Sequence, residues 1–539
     1  MAADDLADAA PTAALQPFEL RAGTGSARRF SGRGPALVAF VKEDCPTCKL
    51  VMPILAALTA LASRADLAAH LVGQTVAGNR QLEASFPDAE SFEVLDDATL
   101  AVSYGSRIET VPTLMLATET GEPETLIGFV RDDWQAAISR WIGALELPPF
   151  DWAWSDLPEW RPGCGSLSVD PAHADRLRAE AEGSPLRARR VTVGTADDPM
   201  EFLFDQGYSD GLPVVPPTPE RVLRMLDGTG RAAEDIVAVV PPNLVEATVE
   251  KVAINAVLAG CKPTYLPVVI AALEAACSDD YNAHGVMATT MGASPVLVVN
   301  GPIRHELGMN MELGALGQGN RANATIGRAL RLILRNVGGA RPGGTERSTL
   351  GNSGKFTQCF AEWEERHPWA PMHVERGFAR EESVVTLFTM SSGPTLMVDQ
   401  ESRTGASLAE SFGRCLDAIW HPKLHFGTDV LVVLCPEHVD TLVADGWDKA
   451  QLRDRIQAVT ARPVDELKRS EDCAVGLTEA QAAGLKKSLP DGRMPKFRST
   501  DDIHIAVAGS NAGKFSGAFH GWATGSIGSK VVSRKIETG

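Results

Sequence analysis

Apolar and polar positions alternate legibly from Gly34 onward. Residues 36–41, ALVAFV, form an apolar run of strand length. A polar turn follows, holding Cys45-Pro46-Thr47-Cys48, and residues 49–62, KLVMPILAALTALA, read as an apolar helix with Pro53 as a kink. From about residue 190 to the end, short apolar runs (DIVAVV, PVLVV, VVTLFTM, DVLVVL, DIHIAVAG) read as strands. Longer periodic stretches (LVEATVEKVAINAVLAG, YLPVVIAALEAAC, NATIGRALRLILRNV, SLAESFGRCLDAIW, PEHVDTLVADGW) read as helices between them. Such alternation predicts an α/β sheet covered by helices.

The strand–turn–helix context gives the first cysteine pair its chemistry. A thiol at a helix N-terminus meets partial positive charge, which favours thiolate, and a second cysteine one turn on is placed to close a disulfide. A structural zinc knuckle is the competing reading; it needs further ligands, and the chain has no second Cys-x-x-Cys. Downstream, Thr110-Val111-Pro112-Thr113 lies in RIETVPTLMLATETGEPETLIGFV, which precedes RDDWQAAISRWIGAL.

On these motifs, in this order, residues 18–146 resemble the thioredoxin superfamily. The resemblance implies a cis Pro112 facing Cys45 and Cys48, a hairpin after it and a closing helix at 131–145. It also implies a redox-active disulfide in which Cys45 attacks and Cys48 resolves. Asp44 stands where the best-known members of the family carry Trp before the first cysteine, which leaves the redox potential open.

Residues 147–190 open with LPPFDWAWSDLPEWRPGCG, a Pro/Trp-rich composition expected of a linker packed on a surface, and continue into a charged helix. Cys164, between two glycines, is either an ordinary loop cysteine or a relay thiol for the first domain. Its Cys-Gly-Ser loosely resembles a family named for the sequence Sec-Gly-Ser-Cys. Cys261, between a helix and a Pro turn, is a second candidate exposed thiol, whereas Cys277, Cys415 and Cys435 are expected in the core.

The remainder, 191–539, writes one phrase twice. Asn352-Ser-Gly354-Lys355-Phe-Thr recurs as Asn511-Ala-Gly513-Lys514-Phe-Ser516. Laid together without gaps, Phe360 meets Phe519 and Trp363 meets Trp522. The expectation is a duplicated α/β domain with pseudo-twofold symmetry, its halves at about 232–378 and 382–525, and the two motifs facing each other across a cleft. Glycine amides, a lysine and a hydroxyl would cradle an anion there. The Phe between Lys and Ser/Thr excludes a P-loop.

Asn320, Arg321 and Asn323 stand at a predicted helix start, with Asn323 as cap, and would add to the cradle. His373, Glu362 or Asp210 would move protons. Cys359, Glu362, His367 and His373 offer metal donors, but their spacing fits no standard site, so no metal is expected. Beyond the redox disulfide, no cofactor is expected.

Length and composition set outer bounds. At 539 residues the chain holds several domains. Its net charge of −18 argues against nucleic acid or an anionic membrane as the main partner. The start, MAADDLADAAPTAALQPFEL, reads as a flexible acidic segment (1–17) and not as a secretory signal, and no uninterrupted apolar run reaches membrane length. Nine scattered cysteines suit a reducing cytoplasm.

The leading expectation is a cytoplasmic thiol-dependent enzyme, resembling uncharacterised bacterial proteins in its C-terminal region. It would carry out redox or carbon–sulfur chemistry on a small anionic substrate in the C-terminal cleft, supplied by a cellular thiol reductant. Self-association is left open. Two alternatives stand beside it: a non-catalytic, redox-controlled binding protein, and a metal-dependent hydrolase or lyase with an accessory thioredoxin domain.

Overall fold

A computed structural model describes residues 15–538, apart from 87–91, 119–122, 182, 192, 195–196 and 490. Most of the acidic start lies outside the described residues. The chain divides into two units, Met1–Val191 and Thr192–Gly539.

In the first unit the strands are β1 (Ala36–Val41), β2 (Ala68–Gly73), β3 (Val94–Asp96), β4 (Thr113–Ala117) and β5 (Glu124–Ile127). The helices are α1 (Pro46–Arg64), α2 (Val76–Ser85) and α3 (Arg131–Ala144). They build a five-stranded sheet in the order β3-β2-β1-β4-β5. β1 pairs parallel with β2 and antiparallel with β4, and β5 closes the antiparallel hairpin. β1 is buried along its whole length because helices cover both faces of a central strand. α1 is long and apolar enough to cross a membrane by length and composition, but here it buries Val51, Ile54, Leu55 and Leu58 in the core.

Residues 147–168, expected to be a linker, belong to this unit. Phe150, Trp152, Trp154 and Leu157 pack on its core. Trp160–Arg161 pairs with Phe129–Val130, and Cys164–Gly165 pairs antiparallel with Thr110–Val111. Large aromatic side chains gain more by burial than a tether gains by freedom.

The second unit carries β6 (Ser294–Asn300), β7 (Cys359–Ala361), β8 (Val384–Val398), β9 (Thr428–Leu434), β10 (Ile503–Val507), β11 (Phe515–Ala523) and β12 (Val532–Lys535). They form one seven-stranded sheet ordered β7-β6-β8-β11-β9-β10, with β12 also on β8. The pairs β6/β7 and β9/β10 are parallel, and the ladders between them are antiparallel. Side chains alternate strictly. Val430, Val432 and Leu434 join a core with helices α7 (Gly405–Leu416), α8 (Pro436–Ala444) and α9 (Lys449–Thr460). Leu431 and Val433 turn to a second core with Val296, Val298, Phe360, Phe388 and Phe519. Among the remaining helices, α4 (Val249–Ala259) and α5 (Leu266–Ala276) pack with α6 (Arg321–Asn336). Beyond β7, the Trp363 amide donates to the Val507 carbonyl of β10 at 2.7 Å, so the chain joins the two edges of the sheet.

The gap-free matching of the two Gly-Lys-Phe motifs is not reproduced. The first motif precedes β7, an edge strand, whereas the second runs into β11, near the centre. Phe360 and Phe519 therefore occupy unlike places. The run DIVAVV, at the start of the first expected half, lies outside this sheet and forms a separate hairpin with Val245–Thr248.

Candidate functional site

Cys45 caps the N-terminus of α1, and Pro46 opens the helix. The Cys48 amide donates to the Cys45 sulfur at 3.4 Å. The Lys42 amide donates to the Cys48 sulfur at 3.3 Å, and the Cys45 sulfur lies 3.4 Å from the Val111 carbonyl. Val111–Pro112 is a cis peptide.

A third thiol completes the group. Cys164 is paired across the ladder with Val111, whose carbonyl lies 3.4 Å from the Cys45 sulfur, so the third thiol is seated beside the first. The segment bearing it is tied on every side. The Thr47 hydroxyl donates to the Pro162 carbonyl at 2.6 Å, Lys42 Nζ to the Gly165 carbonyl at 3.1 Å, and the Ser166 amide to the Glu109 carbonyl at 2.9 Å. Gln74 donates to Ser166 Oγ at 2.6 Å and accepts from the Leu167 amide at 2.9 Å.

The three sulfurs differ in acidity for physical reasons. Hydrogen bonding from Cys48 lowers Cys45 to about 5; burial opposes this, and Cys164 and the helix-start amides add to it. Burial, and then the neighbouring Cys45, drive Cys48 far up. Hydrogen bonding to Cys45 and burial push Cys164 to about 11, while Lys42 pulls the other way. Cys45 is thus the resting thiolate. Both Cys45 and Cys48 are 0% exposed, and Cys164 alone of the three reaches solvent.

In the second unit the structure separates residues that the sequence grouped. Lys355 is not free to bind an anion. Its Nζ donates to both Glu346 oxygens, at 2.8 and 2.9 Å, and its carbonyl accepts from Arg331 at 2.9 Å. Burial lowers the Lys355 pKa. Asn352 folds back on the Gly354 amide and holds the Gly292 carbonyl.

In the second motif the Gly513 amide donates to the Glu437 carboxylate and Asn511 accepts from Arg366. Ser516 is buried against Cys435 and His438. Lys514 has no hydrogen-bond or ion-pair partner among the described residues. The motifs do not face each other. The first lies by Ser391 and the second by Met397, at separate places along β8.

Other expected binders are also occupied. Asn320, not Asn323, caps α6, accepting from the Asn323 amide at 3.1 Å. Asn323 Nδ2 donates to the Asn310 and Ala315 carbonyls. Arg321 donates to the carbonyls of Gly260 and Cys261, closing the end of α4. Asp210 is clamped by Arg328 at 2.8 and 2.9 Å, which removes it as a free base. Cys261 is buried and raised to about 12, so it is no exposed thiol, whereas Cys415, expected inside, is exposed.

Glu362 does stand in a chemically rich place. Its Oε2 accepts from Asn300 at 2.7 Å and from the Met372 amide at 2.8 Å. Its Oε1 faces His367 Nε2 at 3.5 Å and Lys449 Nζ at 3.6 Å. Burial alone would raise this carboxyl; Lys449 and His367 outweigh it and bring it to about 2. His373 is fully buried nearby, its Nδ1 3.9 Å from Glu364. Neither ring nitrogen of His367 has a hydrogen-bond partner. Among the described residues, no three His, Cys, Asp or Glu side chains are grouped to hold a metal.

One cluster was missed. Cys435 caps α8, with His438 one turn on; His438 Nδ1 is 2.7 Å from Ser516 Oγ, and its Nε2 donates to the Asp399 carbonyl at 2.9 Å. Burial raises the Cys435 thiol, but the His438 contact outweighs it and leaves it below the ordinary value. The signal was present as Cys-Pro-Glu-His directly after an apolar strand, a thiol at a helix start with an imidazole three residues on.

No protein-family model matches the chain, and no curated protein is similar to it. Among solved structures, it is similar to a secreted Mycobacterium tuberculosis disulfide oxidoreductase at 16% identity, covering 23% of this chain and 95% of that one, with a TM-score of 0.19. It is also similar to the exposed lipoprotein thioredoxin of Streptococcus pneumoniae at 18% identity, covering 23% and 99%, with a TM-score of 0.20. An uncharacterised conserved protein of Geobacillus kaustophilus is similar at 14% identity over 34% of this chain and 88% of that one, with a TM-score of 0.20.

Proposed function

We propose that the protein is a thiol-dependent enzyme whose N-terminal unit is a thiol–disulfide oxidoreductase. Cys45 attacks, Cys48 resolves, and a cellular thiol reductant restores the pair. The observation that carries this reading is the Cys45 sulfur at the start of α1, accepting from the Cys48 amide at 3.4 Å beside the cis Pro112. A thiolate held there is a ready nucleophile at neutral pH and a good leaving group.

The second unit supplies acid–base chemistry through Glu362 with His367 and Lys449, a buried carboxylate oxygen set between an imidazole and an ammonium. A small anionic substrate in a cytoplasmic setting remains part of the proposal, with Lys514, rather than Lys355, as the available lysine. The matching pair directions from either end of the seven-stranded sheet support two like halves, β6–β8 and β9–β11, in place of the halves drawn from the motifs.

The internal pairing of Lys355, Asn352 and Asn511 favours a second reading, in which the C-terminal unit binds a partner under redox control. Reduction of insulin disulfides by the full chain, with dithiothreitol as electron source, tests the first reading. Turnover that vanishes in Cys45→Ser supports it; equal rates in wild type and Cys45→Ser reject it.

A further inference from the structure

The dithiol that should meet an outside disulfide is sealed. Cys45 and Cys48 are 0% exposed, and residues 162–165 are held beside them by Thr47, Lys42 and Thr110–Val111. An outside peptide reaching a buried cysteine would add itself as a strand beside the residue before the cis proline. That edge is taken, because Cys164–Gly165 already pairs with Thr110–Val111. The chain thus seats one of its own cysteines where a substrate cysteine would sit. Displacing the strap would break the hydrogen bonds from Thr47, Lys42, Gln74 and Ser166. Gly163 fits because it lacks a side chain: a Cβ there would lie 2.8 Å from the Val111 carbonyl oxygen.

Resting on the oxidoreductase reading, we infer that Cys164 is a third catalytic thiol, the one through which Cys45 and Cys48 exchange electrons with outside disulfides. With oxidised glutathione as the outside disulfide, the Cys164 thiolate attacks one of its sulfurs. The glutathione S–S bond breaks, a Cys164–glutathione bond forms, and one glutathione thiolate leaves. Cys45 thiolate then attacks Cys164 Sγ, forming Cys45–Cys164 and releasing the second glutathione. Cys48, losing its proton, attacks Cys45 Sγ, breaking Cys45–Cys164 and forming Cys45–Cys48; Cys164 leaves as a thiolate and recovers from solvent the proton it gave up before its attack. Two electrons pass from the Cys45/Cys48 pair to glutathione. Its two thiolates are protonated by the proton Cys48 gives up and by one from solvent. Cys45 and burial hold the Cys164 thiol up at about 11 and Lys42 Nζ, at the Gly165 carbonyl, pulls against them, so the sequence starts from the small thiolate fraction of the thiol that reaches solvent.

The test uses the full reduced chain with oxidised glutathione, followed by acid quenching, alkylation and peptide mass mapping. Cys48→Ser is expected to stop at a Cys45–Cys164 disulfide, and Cys164→Ser to react roughly tenfold or more slowly than wild type. A Cys48→Ser protein that keeps glutathione on Cys45 with Cys164 free overturns the inference. So does a Cys164→Ser protein that reacts as fast as wild type or faster, since the strap is then only a cover. Both results leave the oxidoreductase reading intact. Wild type that never oxidises at Cys45 overturns that reading and this inference together.

Discussion

Cys45 and Cys164 share a backbone partner: the Cys45 sulfur lies 3.4 Å from the Val111 carbonyl, and Cys164 is the ladder partner of Val111. Two cysteines far apart in sequence are thereby held at one residue, and the acidity of one is set partly by the other.

The Cys45 thiolate should be visible directly. Thiolate absorbance in the far ultraviolet, taken as the difference between reduced wild type and Cys45→Ser, is expected to titrate near pH 5. The sign for stability follows. A thiol lowered on folding stabilises the folded state above its unfolded value near 9, and that contribution is lost as pH falls towards 5. At pH 7 it amounts to about 3 kcal/mol for the reduced form. A difference spectrum that rises only above pH 8 contradicts it.

Gly163→Ala should loosen the strap. The new methyl would meet the Thr110 methyl at 2.3 Å as well as the Val111 carbonyl. Iodoacetamide should then label Cys45 several-fold faster, read by mass mapping, with the sheet core unchanged in circular dichroism.

The two motif lysines should behave oppositely. Lys355→Ala leaves Glu346 buried, answered by Arg331 at 3.6 Å and the Ser348 amide at 3.4 Å, and should cost about 2–3 kcal/mol in denaturant unfolding. Lys514→Ala should stay within about 0.5 kcal/mol. Equal, small effects would show that the Lys355–Glu346 pair contributes nothing.

Glu362 should tie the second unit to acid pH. Its carboxyl is lowered to about 2, so its contribution is present above the ordinary 4.5 and is lost as pH falls from there to 2. Glu362→Gln should flatten that acid limb, which is worth on the order of 3 kcal/mol, and should also remove any turnover assigned to this cluster.

Local grammar carried much of this account and stopped where distance began. The strand before Cys45, the helix after it and Thr110–Thr113 are each written within a few residues, so the first unit was legible. The seat of Cys164 depends on a ladder formed with Val111, which no window around Cys164 contains. The repeated Asn-x-Gly-Lys-Phe misled for a related reason. Asn and Gly favour a turn wherever they stand, but the strand that follows finds its neighbours remotely, at an edge for Phe360 and near the centre for Phe519. Glu362, His367 and His373 were close in sequence and remain close in space; Lys449, which completes the cluster, comes from the start of α9.

The most direct measurement is a redox titration of the full chain in glutathione buffers, with the state of each cysteine read by alkylation and mass mapping. The account predicts a reversible two-electron transition centred on Cys45, its disulfide formed with Cys48 in wild type and with Cys164 in Cys48→Ser, and absent from Cys45→Ser. A Cys45 that stays reduced across every glutathione ratio, or a transition that survives Cys45→Ser, would contradict it.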